Sequence, residues 1–251
     1  MLQKRPPRTN LGKRLKDPFG HLIPLKRVLN MLLGIVSYRR LNILNRLTVE
    51  GMEHLKELPK NKVLFVSNHQ TYYADVIALY HVFCSAKWGM NNINLPVYLL
   101  SPRVKNFFIA AEETMSDSGF LPKVFSYAGA VTVKRSWREK GKAIKRGADI
   151  KAPAKIKKAL EYGWVVTFPQ GTTTPNAPVR KGAASLIKHL DPIIIPVTIS
   201  GFREAFGKKG LAIQKKGVQL KISFDPPIQF GKEAEISEIM SFLENHLMDE
   251  K

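Results

Sequence analysis

The sequence predicts an α/β fold, a single-domain mixed sheet flanked by helices and preceded by an amphipathic helical segment. Two observations lead there. Short apolar runs rich in Val, Ile and Phe alternate with stretches whose apolar residues recur every three or four positions, and strands alternating with helices build a sheet covered on both faces. The 251 residues are 44% hydrophobic, enough to bury a real core, which excludes intrinsic disorder. No internal repeat and no linker divides the chain.

In chain order, residues 1–18 read as a basic, Pro-containing arm without apolar periodicity. From about 21 to 45, Leu22, Leu25, Val28, Leu29, Leu32, Leu33 and Val36 form a stripe, with Lys26, Arg27, Arg39 and Arg40 off it. This is the pattern of one basic amphipathic helix or two short ones. A stripe of this kind packs on the protein's own core or lies in a membrane interface, and periodicity alone favours neither. After Glu50-Gly51 and a short helical segment, residues 62–67 (KVLFVS) read as a strand ending in Asn68-His69, followed by a helix over about 74–86. Further strands are expected at 130–133, 164–168, 193–200 and 218–224, and helices near 155–161 and 183–190. The tail, 233–249, places Ile236, Ile239, Met240, Leu243 and Leu247 on one helical face.

Charge narrows the partners. Forty Lys and Arg against 20 Asp and Glu leave +20, which draws phosphate-rich surfaces: nucleic acid, an anionic membrane or an acidic carrier protein. Residues 1–48 hold eleven bases and one acid, Asp17, and further bases cluster at 134–158 and at Lys208, Lys209, Lys215, Lys216 and Lys221. The longest uncharged stretch of the basic N-terminal region, 28–38, is eleven residues, too short to span a bilayer, and it lacks a small-residue cleavage site. The single cysteine, Cys84, sits in an apolar run and fits a buried hydrophobe in a reducing compartment.

Two segments carry chemistry. His69 stands just past the strand 62–67 and Asp75 at the start of the next helix, where active sites form in α/β folds. A carboxylate that orients an imidazole makes it a general base toward a hydroxyl; the bland alternative is a packed histidine and an N-capping aspartate. The second segment, Phe168-Pro169-Gln170-Gly171-Thr172-Thr173-Thr174-Pro175, opens a strand into a Gly and hydroxyl loop followed by Arg180 and Lys181, a setting for an anion. His54, His81, His189 and His246 lack such a motif and no pair has metal-site spacing. Glu112-Glu113 reads as a helix terminus or surface feature, and Tyr72-Tyr73 as packing or the lining of an acyl tunnel.

With these residues in view, the chain resembles the glycerolipid acyltransferase family, whose best-known members are the bacterial 1-acylglycerol-3-phosphate acyltransferases. Four motifs stand in family order between about Leu47 and Phe230. The first is Asn68-His69 and Asp75, with five intervening residues where the family has four. The second is Gly129-Ala130-Val131-Thr132-Val133-Lys134-Arg135. The third, usually Phe-Pro-Glu-Gly-Thr-Arg, is Phe168-Pro169-Gln170-Gly171-Thr172-Thr173, so Gln170 replaces an acid and Thr173 a base. The fourth is Ile195-Pro196-Val197-Thr198-Ile199. Each motif is weak alone, while four in order are specific.

The resemblance implies direct transfer of a fatty acyl group from a thioester to a lysolipid hydroxyl, most simply 1-acylglycerol-3-phosphate giving phosphatidic acid. His69 would be the base and Asp75 its orienting carboxylate. Backbone N–H groups of Gly171 and Thr172 would stabilise the oxyanion. Arg135 would bind the acceptor's anionic head group together with the loop Gln170–Thr173, and Arg180 and Lys181 would compensate for the arginine missing at 173. No metal or cofactor is expected beyond the donor, an acyl carrier protein or coenzyme A thioester. Residues 1–46 are then a membrane-associating segment, 47–230 the acyltransferase domain and 231–251 a C-terminal helix. The enzyme is expected on the cytoplasmic face of an anionic membrane, peripheral or monotopic. An O-acyltransferase of another lysolipid, such as an acylated amino acid, fits the altered third motif. A basic nucleic-acid-binding protein fits the charge but neither the motif order nor any recognisable nucleic-acid module.

Overall fold

A computed structural model describes residues 15–116, 119–135, 138–139, 142–143, 149–207, 210–231 and 233–247. Most of the basic arm (1–14), Lys208, Lys209 and the tail residues 248–249 lie outside the described residues. Five of the strands follow from apolar runs flanked by turn residues: β2 (Val63–Ser67), β4 (Ala130–Val133), β7 (Trp164–Thr167), β8 (Ile193–Ser200) and β9 (Gln219–Phe224). They join β1 (Arg46–Glu50) and β3 (Asn106–Ala111) in a seven-stranded sheet of order β1-β9-β8-β2-β7-β3-β4. A two-residue pair, β5 (Arg138–Glu139) with β6 (Lys142–Ala143), stands apart. The sheet is mixed because β8 and β9 pair antiparallel, whereas every other pairing in it is parallel.

The sequence reading did not mark β1 or β3 as strands. β3 (NFFIAA) is a short apolar run without alternation, which period alone cannot separate from a helix. Its strand character comes from its neighbours: Asn106, Phe107 and Phe108 pair with Trp164, Val165 and Val166, and Phe108 to Ala111 pair with Ala130 to Val133.

Helices cover both faces. On one lie α1 (Ile23–Tyr38), α2 (Ala74–Lys87) and α4 (Phe120–Ala128), over a core that includes Phe65, Ile77, Phe83, Tyr98 and Phe125. On the other lie α5 (Ala152–Tyr162), α6 (Lys181–Leu190) and α8 (Ile236–Leu247), over Leu64, Ile156, Val165, Ile187 and Leu243. Short helices α3 (Glu112–Met115) and α7 (Phe202–Ala205) follow β3 and β8 directly. The C-terminal helix begins at Ile236, three residues later than the expected 233.

α1 is built inside out. Its buried residues are Lys26, Asn30, Gly34 and Ser37, at four- and three-residue spacing, whereas Leu22, Leu25, Val28, Leu32, Ile35 and Val36 are exposed. Polar partners make that inward face possible. Lys26 Nζ lies 3.1 Å from Asp17 Oδ2 and over the Phe107 ring. Burial opposes ionisation of Asp17, yet the His21 hydrogen bond and the Lys26 charge hold its carboxyl well below the usual range. Ser37 Oγ meets His81 Nε2 at 2.8 Å, and His81 Nδ1 meets Tyr98 OH at 3.0 Å. Burial pushes His81 down to about 3, so the ring is neutral and has one nitrogen that donates and one that accepts. Of the apolar stripe, Leu22, Leu25, Val28, Leu32 and Val36 are exposed, while Leu29 and Leu33 are half-buried and Leu33 packs on the core; a π-helical turn (Arg39–Ile43) carries the chain on toward β1. Among the described residues no helix is long and apolar enough to cross a membrane.

Candidate active site

Because β2, β7, β3 and β4 run parallel side by side, their carboxyl ends lie along one edge of the sheet. The loops after them therefore bring together residues far apart in sequence: His69 after β2, the 168–173 loop after β7, Glu113 after β3 and Arg135 after β4. All of them except Gln170 line one cleft of about 1740 Å³, with Tyr72, Tyr73 and Arg180 also on its wall.

The loop after β2 is tied down at nearly every residue. The buried Asn68 amide donates to Ile199 O (2.9 Å) and accepts from Ile199 N (2.8 Å) on β8. Gln70 Oε1 accepts the N–H groups of Phe202 (2.9 Å) and Arg203 (3.2 Å), which crosses to α7. His69 Nδ1 lies 2.9 Å from Asp75 Oδ2, and the same oxygen accepts Gln70 N (2.6 Å) and Thr71 N (3.0 Å). Thr71 Oγ1 donates to Asp75 Oδ1 at 2.7 Å. The dyad expected of His69 and Asp75 is thus assembled. Five intervening residues are accommodated because those next to His69 curl back onto the carboxylate before α2 begins. The His69 ring stacks on Phe168, 3.9 Å between centroids, and its side chain stays 15% exposed toward the cleft. With Nδ1 held by Asp75, Nε2 is the nitrogen left to take a proton.

The loop after β7 behaves differently from its expected role. Gly171 adopts φ +64°, a conformation natural to glycine, and this closes a turn in which Gly171 N–H donates to Phe168 O at 2.9 Å. Its N–H is therefore engaged within the turn. Thr172 N–H makes no backbone hydrogen bond among the described residues and keeps its candidacy for the oxyanion. Gln170, expected among substrate-binding residues, is 4% exposed and turns its amide to Ala177 O (3.0 Å) and Leu247 O (3.4 Å). It braces the loop against the end of α8. Thr173 is buried, and its carbonyl accepts Arg203 Nη2 at 3.3 Å.

Arg135 reaches this loop from β4. Its Nη1 donates to Gly171 O at 3.1 Å, and Nη2 forms an ion pair with Glu113. Arg180 lines the cleft and caps the start of α6, while Lys181 is exposed and absent from the cleft-lining residues. Asp149 also lines the cleft, its carboxyl held below the usual range by a hydrogen bond from Lys134 N–H. Sequence reasoning passed over Arg203 and set Glu113 aside as a helix terminus or surface feature. Glu113 does sit at a helix start, as expected of Glu112-Glu113. Its place after β3 gave no signal, because that apolar run does not show as a strand in the sequence; Arg203, just after the expected strand 193–200, had one. His246 Nε2 comes 3.7 Å from Asp225, and neither residue lines the cleft.

The sequence model of the family described as Acyltransferase matches residues 46–200, more than half of the chain. Among solved structures, the fold is similar to that of the 1-acyl-sn-glycerophosphate (LPA) acyltransferase PlsC from Thermotoga maritima. That similarity has a TM-score of 0.55 at 19% identity, over 87% of this chain and 75% of that one. No curated protein matches the sequence.

Proposed function

The chain belongs to the Acyltransferase family, and from that premise we propose that it moves a fatty acyl group from a thioester to the hydroxyl of a lysolipid. The observation that carries this reading is the His69–Asp75 pair at 2.9 Å, placed at a parallel-sheet edge and open to a large cleft. His69 Nε2 removes the acceptor's hydroxyl proton as that oxygen bonds to the thioester carbonyl carbon. Asp75, fixed by Thr71 and by two backbone N–H groups, holds the tautomer and stabilises the imidazolium. The tetrahedral oxyanion is met by Thr172 N–H. Collapse breaks the carbon–sulfur bond, and the departing thiolate recovers the proton from His69. The donor is an acyl carrier protein or coenzyme A thioester. The acceptor is 1-acylglycerol-3-phosphate, the substrate class named for the structural relative, or a lysolipid with another head group, such as an acylated amino acid.

We place the reaction at an anionic membrane surface. Support comes from the outward face of α1, where Leu25, Val28, Leu32, Ile35 and Val36 are exposed, as are Arg27 and Arg39. Burial of such a face in lipid, with bases toward acidic head groups, accounts for an otherwise unfavourable arrangement. The deciding experiment incubates the purified chain with a labelled acyl thioester and a panel of lysolipids on anionic vesicles, with products identified by mass. Acyl transfer to a lysolipid hydroxyl is expected. Absence of transfer to every member would reject the enzyme reading, and a full-length chain that leaves anionic vesicles unbound at low salt would reject the membrane placement.

A further inference from the structure

Among the described residues, the cleft is balanced in charge although the chain is not. Forty bases face 20 acids in the whole sequence, yet among the described residues Lys134, Arg135 and Arg180 line the cleft together with Glu112, Glu113 and Asp149. The cation best placed for a head group is already engaged: Arg135 holds Glu113 with one terminal nitrogen and Gly171 O with the other. Its fork is therefore not presented whole to an incoming anion. A phosphate that chelated it would displace Glu113 and leave that carboxylate facing a dianion in a site partly shielded from water, where like charges repel strongly. The side chains of Arg135 and Glu113 are only 20% and 15% exposed, so screening is weak.

Resting on the acyltransferase reading above, we propose that Glu113 is a specificity-determining residue of the acceptor site. It selects against doubly charged phosphate head groups and in favour of head groups with at most one negative charge that offer an O–H or N–H donor to its carboxylate. Discrimination of this kind uses a repulsive element against the wrong ligand as much as attraction for the right one. Tertiary contact creates the element, because Glu113 and Arg135 stand just past the carboxyl ends of adjacent parallel strands, β3 and β4.

The test compares kcat/KM for three acceptors: 1-acylglycerol, 1-acylglycerol-3-phosphate and an N-acylated hydroxy amino acid. The first two differ only in the phosphate. Wild-type enzyme should use 1-acylglycerol or the amino-acid lipid better than the phosphate. Glu113→Gln should raise the phosphate relative to 1-acylglycerol by about tenfold, as removal of one facing charge predicts, whereas Glu113→Asp should keep the wild-type order. Equal effects of Glu113→Gln on all acceptors, or none, would overturn the proposal. So would a wild-type preference for the phosphate, which needs no variant to fold. If wild type transfers to no lysolipid, the acyltransferase reading falls and this inference with it; transfer with an unchanged ratio in Glu113→Gln removes the inference alone.

Discussion

The loops after β2 and β7 leave neighbouring strands of one sheet edge, yet they are held in different ways. The first is fixed by its own side chains: Asn68 to Ile199, Gln70 to the start of α7, and Thr71 and Asp75 to each other. The second is held largely from outside, with Arg135 on Gly171 O, Arg203 on Thr173 O and the Gln170 amide anchored on the end of α8. A proton-transfer base tolerates little positional error, which suits a self-locked loop. A loop whose geometry is set by residues elsewhere can change its own side chains, as Gln170 and Thr173 have relative to the family pattern, and still keep its path.

Replacement of His69 by Ala should have the largest effect, a loss of acyl transfer of about 10²–10⁴-fold with lipid binding preserved, as for a missing general base. Activity close to wild type in a turnover assay would break the comparison at its first term. Asp75→Asn should come next, at about 10²-fold or more, because the amide would set an N–H₂ against the N–H groups of Gln70 and Thr71 as well as misorienting His69.

Asn68→Ala sharpens the contrast through stability. Two buried backbone groups of Ile199 lose their partner, so urea denaturation should show a loss of about 1–3 kcal/mol. A neutral result would mean that the loop is not self-locked. For the β7 side, Arg135→Ala should raise the acceptor KM by about tenfold and affect thioester hydrolysis less. Equal changes in both reactions would assign Arg135 only the support of Gly171. Thr173→Arg should do least for catalysis, within about twofold, provided the new side chain extends into the cleft that Thr173 borders, because Arg203 already holds the loop at the 173 carbonyl. A large gain with a phosphate acceptor in a kinetic comparison would show that this loop, and not the Glu113–Arg135 pair, sets head-group choice.

Much of the candidate dyad's loop was legible. His69 and Asp75 were readable because a strand end followed by a helix start is a local pattern, and the chemistry they need lies within one short segment. The loop after β7 was readable as a loop but not as contacts: nothing near Gln170 announces Leu247, and nothing near Gly171 says that its N–H is consumed by Phe168 while its carbonyl receives Arg135. Strand β3 was missed for a related reason, since its pairing partners β4 and β7 are remote in sequence.

The helix α1 marks the boundary most clearly. The apolar stripe from Leu22 to Val36 was set by the sequence, because a 3.6-residue period puts those side chains on one face of a helix whatever surrounds it. Its direction was decided by tertiary structure. Lys26 found Asp17, Ser37 found His81 and Gly34 packed close against Leu99, so Lys26 and Ser37 could be buried with polar partners and most of the apolar face was left outward. Period is a property of the chain, while the partner that satisfies a buried polar group is a property of the fold, and only the second fixes which side of a helix faces in.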